Sequence, residues 1–130
     1  MAIRIVRLGS PRIKEEGIRI GTVRRPPRGI PKSEYAARGF YDVWLPNLSP
    51  SEELMKEGRM SKDKASWSLF SRKFRKEMTR PEACRVLDLV AALSHNTDMS
   101  LGCYCEDESK CHRSILRQLL IDRGAAIIDL

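Results

Sequence analysis

Eleven residues near the carboxyl terminus, Cys103-Tyr104-Cys105-Glu106-Asp107-Glu108-Ser109-Lys110-Cys111-His112-Arg113, gather thiols, carboxylates, an imidazole and a guanidinium. A thiolate is a nucleophile, and a cysteine at a helix start or beside a cation ionises readily. An imidazole or a carboxylate moves protons, and a guanidinium grips anions in a planar fork. The same residues therefore support four readings. Cys105, Glu106, His112 and Arg113 make a pocket for an anionic small molecule. Cys103, Cys105, Cys111 and His112 are the right donor types for zinc. Against that, neighbours on a helix diverge by about 100°, which separates Cys111 from His112, and no second C-x-x-C knuckle accompanies them. Cys105 with Cys111 or Cys103 makes a redox pair, without the C-x-x-C spacing of thioredoxins. Last, the segment is purely structural, with Cys111 in line with Ile115 and Leu119 on a buried helix face and Glu106 paired to Arg113.

Such residues act only if strands and helices hold them. Ile3–Leu8 and Ile18–Val23 alternate apolar and charged residues and predict strands, as does the aromatic run Tyr41–Leu45. Ser49-Pro50-Ser51-Glu52 has the form of a capping box with proline at the first helical position, opening a helix that stops near Gly58. A second helix over Asp63–Met78 aligns Trp67, Phe70, Phe74 and Met78 on one core face, with Arg72, Lys73, Arg75 and Lys76 on a solvated one. Thr79-Arg80-Pro81-Glu82 repeats the capping signature. The helix it opens buries Val86, Leu87, Leu89, Val90 and Leu93, holds Cys84 as a small helix residue, and ends near His95, placed to cap its own carboxyl end.

Met99–Cys105 is an apolar run of the kind found in the middle of a parallel sheet. Cys111–Arg123 follows as a helix ended by Gly124, and Ala125–Leu130 reads as a last strand. This βαβ unit puts Cys105 and Glu106 at the carboxyl end of a strand and Cys111, His112 and Arg113 in the first turn of the next helix. Ligands of open α/β sheets bind at such carboxyl ends, and helix starts favour anions.

The chain has 130 residues and a net charge of +7, which favours anionic partners. No apolar run approaches the length of a membrane span and the amino terminus is interrupted by Arg4 and Arg7, so a cytosolic protein with free thiols and no membrane association is expected. Arg24-Arg25-Pro26-Pro27-Arg28-Gly29-Ile30-Pro31-Lys32 is a stiff loop displaying four cations. Because Glu106, Asp107 and Glu108 repel anions, the loop must converge on the site if the ligand is anionic.

The combination of Pro27-Arg28-Gly29, Trp44, Leu48-Ser49-Pro50-Ser51-x-Glu53-Leu54, Trp67-x-x-Phe70 and Glu77-Met78 resembles the YeaO-like proteins of domain-of-unknown-function family 488. The C-x-E…C-H-R element of Cys105, Glu106, Cys111, His112 and Arg113 looks like the mark of the wider family. The resemblance covers roughly residues 17–124. It implies a cytosolic bacterial or archaeal α/β protein and adds weight to Arg28, Trp44, Cys105, Glu106, Cys111, His112 and Arg113 as site residues. It implies no substrate and no reaction.

Together these features predict one three-layer α/β domain over residues 1–130, with a small, mostly parallel sheet flanked by helices. The expected ligand is a phosphorylated or nucleotide-like anion. Cys105 is the candidate nucleophile, Glu106 or His112 the acid/base, and Arg113, Arg24, Arg25, Arg28, Trp44 and Cys111 the ligand-binding set, with neither metal nor cofactor needed. The rival expectation is a nucleic-acid-binding or interaction module with structural cysteines, whose basic face takes in Arg72–Lys76. A homodimer is open on base rates alone.

Overall fold

Hydrophobic alternation and apolar runs become a four-stranded, wholly parallel sheet in the order β1-β4-β2-β3. The computed structural model describes residues 1–60 and 63–129. The strands are β1 Ile3–Arg7, β2 Ile18–Gly21, β3 Val43–Trp44 and β4 Met99–Cys103. The helices are α1 Glu52–Arg59, α2 Lys64–Glu77, α3 Pro81–Leu93 and α4 His112–Asp122. This is the small α/β domain that the patterning predicts. No helix among the described residues is long and apolar enough to cross a membrane.

The apolar run is central, as a strand buried on both faces must be: β4 lies between β1 and β2 and is buried at every position. In register, Ile5, Leu101 and Ile20 form one row, and Val6, Gly102 and Gly21 the next, pointing the opposite way. The first face joins Ile3 and Met99 to one core with Leu54 of α1, Phe70 and Phe74 of α2, Leu87 and Val90 of α3, and Leu116 and Leu120 of α4. The aromatic stripe of α2 is core, with Trp67 and Phe70 stacked at 5.0 Å.

The opposite face is covered by a thinner layer of loops and 3-10 turns. A Cβ at Gly21 would collide with the Tyr41 ring, and one at Gly102 with Leu8. Arg19, fully buried on this face, pairs with Glu16 at 2.7 Å and donates to the carbonyls of Ser10 and Gly39.

Several local expectations are corrected by long-range contacts. The α1 N-cap is Ser51, not Ser49. Ser49 instead closes a preceding 3-10 turn through Pro46, while Ser51 is fixed by Glu77 of α2, which accepts from its amide and hydroxyl. Arg80 occupies the α3 N-cap with Pro81 in the first turn, because the Thr79 hydroxyl turns back to the Lys76 carbonyl. Leu89 and Leu93 are exposed, since the buried residues Ala83, Leu87, Val90 and Ala91 already define the core-facing arc. His95 bonds the Gly124 carbonyl beyond α4 at 2.8 Å rather than capping its own helix. The predicted last strand is reduced to one parallel bridge between Ile3 and Ile127; Leu130 lies outside the described residues.

Candidate functional site

Parallel strands end together, so the residues just past β1, β2 and β4 meet at one edge. Leu8 donates to the Cys103 carbonyl at 2.8 Å and Thr22 to the Gly102 carbonyl at 2.9 Å. Tyr104, Cys105 and Glu106 follow β4, a 3-10 turn at Glu108–Lys110 reverses the chain, and α4 starts at the same edge. Asp107 holds that turn by accepting from the Ser109 amide and hydroxyl, and Glu108 forms a bidentate pair with Arg117. Two of the three acidic residues are thus committed to the loop itself.

Three sulfurs and an imidazole cluster there. Cys103 and Cys105, two apart on an extended chain, point the same way, and their Sγ atoms are 3.8 Å apart. Cys111 Sγ is 3.6 Å from His112 Nδ1, and the ligand atoms of Cys103, Cys111 and His112 all lie within 4.8 Å of one another. Those three residues are buried, while Cys105 is exposed. Cys111 does not diverge from His112 as helical neighbours would, because it is the N-cap of α4, with φ −127° and ψ 152°. Its side chain leaves an extended backbone, not a helix, and the 100° argument does not apply to it.

His112 is held by three contacts. Its Nε2 lies 2.7 Å from the Thr22 carbonyl and 3.3 Å from the Thr22 hydroxyl, and its ring meets Phe74 edge-on at 5.5 Å. A carbonyl only accepts, so in the neutral ring Nε2 carries the hydrogen and Nδ1 turns its lone pair toward the sulfurs.

Arg113 is buried rather than open to a ligand. Its Nη1 donates to the Val6 carbonyl and its Nη2 to the Cys105 carbonyl, each at 2.6 Å, and its Nε to Cys111 Sγ at 3.4 Å. It ties β1, the segment after β4 and the cluster together. The expected pair between Glu106 and Arg113 does not form: Glu106 stands in solvent beyond β4, 3.6 Å from Arg7.

The thiols share their protons unequally. Hydrogen bonds from Cys103 and then Cys105, with His112 adding to them against the opposing effect of burial, hold the Cys111 thiol far below its ordinary value. Cys103 is pushed far up by its bonds with Cys105 and Cys111 and by burial. Cys105 is also raised: its bond with Cys103 acts downward, but Cys111 and burial outweigh it.

The basic loop reaches this edge in part. The Tyr104 hydroxyl donates to the Arg25 carbonyl at 2.9 Å, and the Trp44 indole to the Val23 carbonyl at 2.7 Å. The Arg25 side chain pairs with Glu52 in the open, Arg28 is exposed, and Arg24 turns to the carbonyls of Ser49 and Pro50 ahead of α1. Sequence reasoning missed Arg7 and Thr22. Both sit within one residue of the carboxyl end of a predicted strand, and that position was the available signal. Cys84, on α3, is bonded to Arg123 and stands apart from the cluster.

Residues 3–124 match the family model DUF488-N3a, described as the active DUF488-N3 subclade. No curated protein and no solved structure matches the chain. The family match begins at β1 and ends just past α4, taking in all four strands and the whole sulfur–imidazole cluster, and the chain belongs to the DUF488 family.

Proposed function

We propose that this protein is an enzyme that takes an anionic small molecule, phosphorylated or nucleotide-like, at the carboxyl edge of its sheet. The observation that carries this reading is the meeting, at one edge, of a sulfur–imidazole cluster, a helix start and surface arginines with room to exchange partners. Arg7 donates to the Tyr104 carbonyl at 3.3 Å and faces solvent-exposed Glu106, and among the described residues the Arg25 side chain is held by an exposed pair with Glu52. Surface pairs of this kind contribute little, so an incoming phosphate can replace the carboxylate. Arg28, on the loop that carries Arg25, adds a third cation, and the half-exposed Trp44 offers a flat face to a base. Cys105 stands at the mouth, with Glu106 beside it as acid/base. His112 and Arg113, both buried and tied to backbone carbonyls, act as positioning residues. The description of the matching subclade as active favours chemistry over binding alone.

Calorimetric titration of the full chain with inorganic pyrophosphate and with a nucleoside monophosphate tests the reading. Binding of either, weakened about tenfold by Arg7→Ala or Arg25→Ala, is expected from the loss of one charge-assisted hydrogen bond. The proposal fails if neither anion binds, and a steeply salt-dependent affinity for RNA or duplex DNA in their place would assign the basic surface to nucleic acid.

A further inference from the structure

We propose that Cys103, Cys111 and His112 bind a zinc-class divalent ion, with Cys105 at a fourth, exchangeable position. This deepens the proposed function, on which it rests only for what the ion does there, which is to polarise the bound anion.

The spacing fits such an ion. Tetrahedral zinc with Zn–S near 2.3 Å and Zn–N near 2.05 Å sets sulfur–sulfur edges of about 3.8 Å and sulfur–nitrogen edges of about 3.6 Å. Cys103 to Cys105 is 3.8 Å, and Cys111 to His112 Nδ1 is 3.6 Å. The buried trio, within 4.8 Å throughout, needs to close by only about an ångström to meet the same edges.

The surroundings independently fit the same ion. The Thr22 carbonyl takes the Nε2 hydrogen of His112, the usual outer contact of a metal-bound imidazole, which leaves Nδ1 as a donor with sulfur before it. Arg113 is a buried cation with no carboxylate in ion-pair range among the described residues; its partners are two carbonyls and Cys111 Sγ. A buried guanidinium needs a counter-charge. A divalent ion with three thiolates and a neutral imidazole carries one negative charge, which Arg113 balances while its Nε–H bonds a ligating sulfur. No electrons move on binding: each ligating thiol loses its proton to solvent as a metal–sulfur bond forms, and the imidazole binds through the Nδ1 lone pair. With Cys105 bound the set is three sulfurs and one nitrogen; when exposed Cys105 leaves, two buried sulfurs and a buried nitrogen remain and one position is open.

The test is metal analysis of the full chain, purified under reducing conditions without chelators, followed by cobalt substitution. Near-stoichiometric zinc is expected, and the cobalt form should show sulfur-to-metal charge transfer with the intense visible bands of a tetrahedral ion. Cys105→Ser should keep the ion and shift those bands, Cys111→Ser should weaken binding at least a hundredfold, and Arg113→Met should weaken it ten- to a hundredfold. If Cys111→Ser does not fold, the wild-type cobalt spectrum decides alone. Folded wild-type protein with neither zinc nor a thiolate–cobalt band overturns the inference, as does a Cys103–Cys105 disulfide in its place. Metal without anion binding would sink the proposed function and leave this inference standing; anion binding without metal would do the reverse.

Discussion

At the scale of single residues, the cluster shows how much a side chain's role depends on its backbone. Cys111 and Arg113 flank His112, one position away on either side. Yet the first is an extended N-cap whose sulfur meets Cys103, and the second reaches back under the sheet to Val6. Residue types and their clustering were legible from the sequence, because Cys-x-Glu and Cys-His-Arg are dense in groups that do chemistry. Roles were not, because Arg113's partner at Val6 is 107 positions away and no local spacing encodes it. A clamp exposed to ligand and a buried tie behave differently on mutation. Arg113→Met should cost about 1–3 kcal/mol in urea unfolding, since it leaves the buried Val6 carbonyl and the partly buried Cys105 carbonyl without their donor. Arg28→Ala, on the exposed loop, should stay within about 0.5 kcal/mol of wild type. Equal stabilities for the two variants would return Arg113 to the ligand-binding set.

At the scale of elements, periodicity, apolar runs and capping signals were the readable features, and together they located the strands and helices of the sheet and core. Boundaries were another matter. Ser49-Pro50-Ser51-Glu52 contains two overlapping helix starts, and the second wins because Glu77 on α2 takes the Ser51 amide and hydroxyl. Strand β2 ends early for a similar reason: Gly21 lies flat under Tyr41, and the chain passes straight into Thr22, which anchors His112. A glycine at that point lets a rigid ring lie on the backbone, itself packed edge-on against Tyr35 at 5.3 Å. Gly21→Ala would drive a methyl into the ring, 2.9 Å from its Cγ, which no rotation of a buried tyrosine relieves. A loss of about 1–3 kcal/mol is expected from overpacking. In a Tyr41→Ala background the same substitution should cost much less, so a double-mutant cycle should show a coupling of about 1 kcal/mol or more. Additive effects would mean that the two side chains do not meet.

At the scale of the whole molecule, the two faces of the sheet are stabilised by different physics. One is apolar against four helices; the other depends on charges held inside a thin layer of turns. The Ile-Arg-Ile alternation sets Arg19 on the opposite side of its strand from Ile18 and Ile20, but does not show that a loop covers it, because coverage depends on where residues 8–16 and 35–42 settle. There burial alone would push Glu16 up, yet the Arg19 guanidinium and the Ile13 amide outweigh it and hold its carboxyl below the usual range. Asp42 is likewise lowered, first by its hydrogen bonds to Arg12 and then, against burial, by the Arg19 amide. A carboxyl with a depressed folded value binds fewer protons in the native state than in the unfolded one. Its contribution is complete above the ordinary carboxylate range, near pH 4, and is lost as pH falls through the folded value. Stability to urea should therefore be flat from neutral pH down to about pH 5 and drop steeply below about pH 4. Glu16→Gln and Asp42→Asn should each lower stability at neutral pH and make the acid slope shallower, and the pair together should flatten most of it. An acid slope unchanged in the double variant would place the acid-labile charges elsewhere and leave the apolar face as the molecule's main support.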